Sequence, residues 1–482
     1  MNFRLIINII LLLGLNLLIK PFWILGIDVE VQNKLGNNVY GSYQALLSLS
    51  LIFAILLDLG IQTYNSRTVA SSPKTFQSLF PNMIIAKLFF AILYVILISA
   101  IAYFLNYRGE HLYLLLLLGV LQIAVSFLIF IRSNIAALQR FNLDSIFTVL
   151  DKVVAIILCA YFLYIAPNAI DFKIHHFALF QVIGYATSLI IGWIITLRLY
   201  KFKWKGFQLN KVWIVIRKGI PYALLVFFMG IYGRVDILLI DVLQETGSEE
   251  SGIYAASFRL LDLSNNMVGV LMASILMPLF VRKLAMKESL KEVLQLVSYI
   301  MLAVSLLIAI WVQFYGDFII HFLYDHANDY TVRVLKILIW VFPITSLSYI
   351  YSTLLTADGK LKFLIGTAFV SGFLSLVLNS YFIPKYGAFA SSIISIITHG
   401  VFVFWVINKV KKVYAFKMPW RFLAFMLFWF LVVSFAFYFI EKYLSLNWIV
   451  TSIICAVIGM ILLFLTNAFS FNKMKILIRN NK

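Results

Sequence analysis

Apolar runs of roughly twenty residues recur along almost the entire chain, each the length an α-helix needs to cross the hydrocarbon core of a bilayer. About fourteen such runs can be marked, at 5–25, 40–64, 79–105, 112–131, 146–165, 177–197, 220–240, 252–280, 293–314, 331–355, 363–383, 388–410, 422–440 and 448–469. A membrane β-barrel is excluded, because its strands alternate apolar and polar residues over about ten positions. The bulk composition agrees. The 482 residues are 63% hydrophobic and only 12% charged, whereas soluble domains are about half apolar and a quarter charged. The expected fold is therefore an all-α integral membrane protein of about 14 transmembrane helices.

The net charge of +19 raises the question of a nucleic-acid partner, which the placement of the Lys and Arg residues answers. They collect in alternate connections, the positive-inside signature of a membrane protein, not in a soluble basic domain or arm. The basic set comprises Arg4; Arg67 and Lys74; Arg132 and Arg140; Arg198, Lys201, Lys203, Lys205, Lys211, Arg217 and Lys218; Arg282, Lys283, Lys287 and Lys291; Lys360 and Lys362; Lys409, Lys411, Lys412, Lys417 and Arg421; and Lys473, Lys475, Arg479 and Lys482. The other connections are acidic, with Asp28 and Glu30, Glu110, Asp171, Glu245, Glu249 and Glu250, and Asp317, Asp325 and Asp329. Both termini are expected in the cytoplasm, with the chain in a bacterial inner membrane. The first run lacks a small-residue cleavage site and is expected to be a retained span. Cys159 and Cys455 both lie in apolar runs and suggest neither a disulfide nor a metal site.

The most basic connection, 201–218, falls between the sixth and seventh runs. It divides the chain into an N-terminal six-helix bundle (1–205), a second bundle (206–415), and a further helix pair with a basic tail (416–482). A short internal echo supports two halves: Tyr40-Gly41-Ser42-Tyr43-Gln44-Ala45 opens the second run and Gly252-Ile253-Tyr254-Ala255-Ala256 opens the eighth. The connections leave no room for a soluble catalytic or nucleotide-binding domain, and no Walker-type loop occurs.

Ionisable residues inside spans cost a few kcal/mol or more each, so those that persist face a polar cavity or one another. Eleven stand out: Lys20, Lys87, Lys152, Arg234, Arg259, Arg333 and Lys336, and Asp58, Asp151, Asp236 and Asp262. Counting about 1.5 Å per residue from each span's start puts Lys20, Arg234, Arg259 and Lys336 in the outer half of the bilayer and Asp58, Lys87 and the Asp151-Lys152 pair in the inner half. The functional reading is a wet, net positive lumen between the halves. On that reading Lys20, Arg234, Arg259 and Lys336 bind an anionic substrate, and Asp58, Lys87, Asp236, Asp262 and His399 are candidates for gating or coupling. The bland reading is local pairing. Arg259 and Asp262 share a helix face, Arg333 and Lys336 can snorkel to the interface, and Asp58 can cap its own turn. His399 is a proton carrier on the first reading and a hydrogen-bonded structural residue on the second, while His175 and His176 suit an interfacial role. Pro21, Pro221, Pro278 and Pro343 permit bending within or near span ends.

Three loose motifs then fall in order. Lys34-Leu35-Gly36-Asn37-Asn38-Val39-Tyr40-Gly41 with Leu57-Asp58-Leu59-Gly60-Ile61 and Arg67 is the first. Gly219-Ile220-Pro221, Asp236, Gly252 to Leu260 and Met277-Pro278 form the second, and Asn379 with Ile383-Pro384-Lys385-Tyr386-Gly387-Ala388 the third. Together they resemble the polysaccharide-export flippases of the Wzx type, in the superfamily that holds the lipid II flippase and the MATE drug exporters. The resemblance covers about residues 1 to 410. It implies two pseudo-symmetric six-helix bundles around a cationic cavity, alternating access, and an undecaprenyl-pyrophosphate-linked oligosaccharide as substrate. Arg259 matches the family's basic position in the eighth span. Lys20 stands where the first span often carries Arg, which turns a bidentate phosphate grip into a point charge. The extra final helix pair resembles the arrangement of the lipid II flippase.

The expected function is translocation of an O-antigen, capsule or exopolysaccharide repeat unit from the cytoplasmic to the periplasmic leaflet, with membrane lipids and a polysaccharide polymerase machinery as partners. No covalent chemistry, catalytic residue, metal or cofactor is implied, and energy would come from H⁺ or Na⁺ coupling, the membrane potential or product removal. A MATE-type exporter of small molecules would place acids in its cavity, and cations outnumber acids here. A membrane enzyme of lipid-linked glycan assembly would need a large outer loop, for which 317–329, with His321 and His326, is short.

Overall fold

A computed structural model of the chain describes residue 14 and residues 18–62, 73–137, 141–167, 170–199, 209–271, 276–414, 420–444 and 447–465. The first part of the opening run, the 201–208 stretch and the basic tail, with Arg4, Arg67, Arg140, Lys201, Lys203, Lys205, Lys417, Lys473, Lys475, Arg479 and Lys482, lie outside the described residues. Elsewhere the chain is helical, with no strand among the described residues. This is the physical answer to a solvent without hydrogen-bond partners, since only a helix satisfies every backbone group within one segment.

Nine helices among the described residues are long and apolar enough to span a membrane. They account for most of the expected runs because two of them are double. Leu18–Leu57 and Leu361–Val413 each carry two runs joined across a glycine kink. The fifth run is instead broken into α4 (Phe141–Phe147), a turn, α5 (Leu150–Ala160) and a π-helical turn at Tyr161–Ile165. The eighth is the more polar α8 (Gly247–Leu271), and the last is the shorter α15 (Trp448–Leu465).

Two compact units divide the chain, Asn2–Gly252 and Ile253–Lys482. In the first, a π-helical turn at Trp23–Asp28 leads into α1 (Val29–Phe53). Gly36 interrupts α1 with φ of 79° and ψ of 164°, a conformation open to glycine and strained for other residues. There the chain folds back. The Tyr40 hydroxyl donates to Asp28 Oδ1 at 2.8 Å, although twelve residues of straight helix would separate the two positions by about 18 Å. Next come α2 (Pro73–Phe104), α3 (Glu110–Ala137), α4, α5, α6 (Ile174–Leu199) and α7 (Leu209–Leu243). Phe80, Phe130, Val212 and Val215 form a shared core, so α7 belongs to this unit, beyond the 201–218 connection. Glycines allow the tightest approaches. A Cβ on Gly41 would overlap the Ser248 carbonyl and one on Gly252 the Asn37 carbonyl, so the two copies of the internal echo meet each other, backbone to backbone.

The second unit contains the rest of α8, α9 (Met277–Ala285), α10 (Lys291–Leu323), α11 (Asp329–Leu338), α12 (Val341–Ala357), α13 (Leu361–Val413), α14 (Trp420–Phe439) and α15. Asn328 caps α11, its side chain accepting from the Thr331 amide at 2.9 Å. α13 is a second hairpin, turned at Gly387, whose φ is 56° and ψ −139°. Ser391 donates across that turn to Asn379 Oδ1 at 3.1 Å, and Asn379 Nδ2 donates to Ser375 at 3.0 Å. α14 and α15 pack on α10 through Phe422, Met426, Trp429 and Val433, and the Trp429 indole donates to the Gly459 carbonyl at 2.9 Å. The end of α13 is fastened by Tyr414, which donates to Asp358 at 2.6 Å. Burial raises the Asp358 carboxyl, but Tyr414 and the Lys360 ammonium at 3.0 Å outweigh it and hold the group below its usual range.

Candidate functional site

The richest gathering of charge in the first unit lies at the base of the Gly36 hairpin. Lys152, near the start of α5, sets its Nζ 4.8 Å from the ring centroid of Trp23 and 5.2 Å from that of Tyr185. Lys20 lies close enough for its charge to repel that of Lys152. Asp151 is buried, bonded to the Tyr185 hydroxyl and attractive to Lys152. Trp23 is held in turn by a stack on Phe177 at 5.6 Å, and Tyr43 lies 5.4 Å from the same ring. Both lysines remain partly exposed. Lys152 thus stands beside a carboxylate and between aromatic walls, a setting in which a desolvated cation gains from ring faces and still attracts an anion.

A count of residues along the spans separates Lys20, in the outer half of the bilayer, from Lys152, in the inner half, whereas the structure brings their charges within each other's field. The two are neighbours. A residue count assumes an upright, unbroken helix, whereas Pro21 and a π turn follow Lys20, and α5 starts only after a break at Thr148 and Val149.

Asp28 is a second correction. Expected in an acidic connection, it is buried at 2% exposure inside the hairpin. Tyr40 donates to it, and Gln44 donates to the Tyr40 hydroxyl at 2.8 Å. One turn on, Gln32 donates to Asn37 at 2.8 Å and to the Gly252 carbonyl at 3.0 Å. The hydropathy run ends at Leu25, but Val29 and Val31 continue it, and Asp28 with Gln32 has the i, i+4 spacing of one helix face. That was the available signal.

Asp58 and Lys87 come together, as a built ion pair. Lys87 is fully buried and donates to the Leu57 carbonyl at 2.8 Å and the Ser126 hydroxyl at 2.7 Å, with Asp58 at 3.7 Å and the rings of Phe127 and Phe130 at 5.5 and 5.6 Å. Asp58 also accepts from the Gly60 and Gln62 amides at 3.2 and 3.1 Å. The three ammonium protons thus have partners on the protein, and the group fastens α2 and α3 to the 54–60 turn. On α7, Arg234 is partly exposed and Asp236 buried.

In the second unit Arg259 is partly exposed on α8, within the field of Asp262 three residues on and beside the Tyr324 ring. The Tyr324 hydroxyl is anchored on the Ala256 carbonyl at 3.3 Å. Thr345 donates to Asn265 at 2.6 Å on the same helix. The Lys336 stem lies along Gly316, and its own carbonyl accepts from Gln313 at 2.6 Å. His399 Nδ1 lies 2.8 Å from the Ser395 carbonyl, and because a carbonyl only accepts, that nitrogen carries the proton. Among the described residues no group of three or more His, Cys, Asp and Glu is placed to hold a metal ion.

Comparison with known proteins adds two findings. The family model described as polysaccharide biosynthesis protein matches residues 5–284. Among solved structures, the lipid II flippase MurJ in an inward closed conformation superposes with a TM-score of 0.68 at 15% identity, over 98% of this chain and 98% of that one. A multidrug resistance MATE transporter of the MOP superfamily, facing outward, gives 0.58 at 14% identity, over 85% of this chain and 96% of that one. A MOP superfamily transporter from Pyrococcus furiosus gives 0.56 at 13%, over 84% and 95%. At such identities the likeness is one of fold. No curated protein sequence matches.

Proposed function

We propose that this chain, which belongs to the polysaccharide biosynthesis protein family and has the fold of MOP superfamily transporters, is a flippase for an undecaprenyl-pyrophosphate-linked oligosaccharide. The substrate would be an O-antigen, capsule or exopolysaccharide repeat unit, carried from the cytoplasmic to the periplasmic leaflet of a bacterial inner membrane by alternating access. Both termini would face the cytoplasm. The observation that carries this reading is the Lys152 ammonium, partly exposed over the rings of Trp23 and Tyr185, beside Asp151 and within the field of Lys20, in a unit of spanning helices. Charge is retained at that cost in a membrane protein where something of opposite sign passes, and a pyrophosphate supplies it. Aromatic faces suit the sugar rings that follow. Arg234 in the same unit and Arg259 and Lys336 in the other provide further positive charge.

No covalent bond is made or broken in this process, so the chain acts as a transporter. Coupling to H⁺ or Na⁺ would fall to the buried acids, Asp28, Asp151 and Asp236. Asp58 is engaged with Lys87, which gives that pair a structural role. Two measurements test the proposal. Deleting the gene should make undecaprenyl-linked oligosaccharide accumulate on the cytoplasmic leaflet. Arg259→Ala should abolish export with protein abundance intact. Normal leaflet distribution in the deletion strain rejects the function, and normal export by the variant removes Arg259 from the substrate path.

A further inference from the structure

The Gly387 hairpin presents an apolar groove on its outside. It has a volume of about 300 Å³ and is walled by Leu378, Phe382 and Tyr386 from the arm before the turn and Phe389, Ile393 and Ile397 from the arm after it. Four of these are unusually exposed: Phe382 at 37%, Tyr386 at 58%, Ile393 at 40% and Ile397 at 44%. From Phe389 to Ile397 the groove follows about 12 Å of helix axis. Its rim has a different chemistry. The Tyr330 hydroxyl donates to the Tyr386 carbonyl at 3.4 Å and accepts from the Phe389 amide at 3.2 Å, which places α11 at the same end of the groove. Over the Tyr330 ring lies the Arg333 guanidinium at 5.8 Å, and the Lys385 ammonium lies 4.5 Å from the centroid of Tyr381. Both cations are exposed, and among the described residues neither has a carboxylate partner.

Arg333, through Tyr330, and Lys385, next to Tyr386 in the chain, thus both lie near the turn end of an apolar groove that runs along a spanning helix. We infer that this groove holds one anionic phospholipid of the leaflet bordering the 384–387 turn, its phosphate on Arg333 and Lys385 and one acyl chain along Ile393 and Ile397. Charge complementarity selects the occupant: an apolar slot alone fits any chain, whereas two unpaired cations at its mouth select a negative headgroup. The inference needs only that α13 spans the membrane, and is independent of what the protein transports. The test is lipid retention by the purified full-length protein after incorporation into vesicles of equal phosphatidylglycerol and phosphatidylcholine and re-extraction in detergent, read by mass spectrometry. Wild type should retain phosphatidylglycerol over phosphatidylcholine by about tenfold, and R333Q with K385Q should bring the ratio to about one. Ile393→Trp, which fills the slot and leaves the rim intact, should lose the bound lipid. No preference in the wild type, or a preference indifferent to the two Gln substitutions, overturns the inference. So does displacement of phosphatidylglycerol by equimolar undecaprenyl phosphate, which would assign the slot to an isoprenoid tail.

Discussion

The two glycine-turned hairpins, one in each compact unit, solve the same problem with different chemistry. At Gly36 the arms are fastened by a carboxylate, Asp28, through Tyr40 and Gln44, and the base carries Lys20 and Lys152. At Gly387 the fastening is neutral, Asn379 between Ser375 and Ser391, and the outward wall is wholly apolar. A neutral amide does the mechanical work of holding a reversed chain inside a membrane, so a buried charge in the equivalent place is not required by the fold. The proposed function puts the charge of the first hairpin to use. In the second, Arg333 and Lys385 lie near the rim of the groove.

The comparison can be broken or sharpened by experiment, beginning with the largest effect. Replacing Lys20 and Lys152 together with Ala should reduce export by about 100-fold or more, since each charge-assisted contact contributes about 1.5–3 kcal/mol, while the protein still assembles. Export within a few-fold of wild type would mean that the first hairpin's charges are structural after all. Asp28→Ala should cost about 3 kcal/mol of stability, read as a thermal midpoint in detergent, against about 1.5 kcal/mol for Asn379→Ala, because bonds to a charged group are the stronger. Equal costs would erase the distinction between the two fastenings. Gly36→Ala should cost about 1–2 kcal/mol, from backbone strain alone, since nothing lies within 4 Å of where its Cβ would stand.

The smallest effect is expected outside the spans, at the fastening of the second hairpin's far end. Tyr414→Phe should cost about 1 kcal/mol. Its pH dependence has a definite sign. Asp358 titrates lower when folded than its ordinary 3.8, so the contribution is complete above that value and fades as pH falls through the folded one. In the variant this acid-side loss should shrink. An unchanged acid limb would place the effect in packing.

Much of the fold was legible in the chain. Hydropathy periodicity marks the spans because burial in lipid acts on each residue where it stands, and α2, α3, α6, α7 and α10 coincide with the expected runs. Glycine motifs point to Gly36 and Gly387, whose backbone angles explain why the residue is there. Among the candidate residues, Lys20 in the first unit and Arg259 and Asp262 in the second could be named because a charge in an apolar run is conspicuous. Asp28 could not, since it sits just past the run's apparent end, and Lys152 looked like half of a local pair with Asp151.

Composition and pattern by themselves determined the solvent and the helical class, because those depend on sums and periods along one dimension, while the family came from the resemblance of three motifs. Partnership was decided only by tertiary structure. Whether a buried cation is spent on its neighbours, as Lys87 is on Leu57, Ser126 and Asp58, or left partly open, as Lys152 is over Trp23 and Tyr185, depends on which helices pack side by side. That choice is made where chains reverse at glycine, between residues far apart in sequence, and no local count of charge or hydropathy contains it.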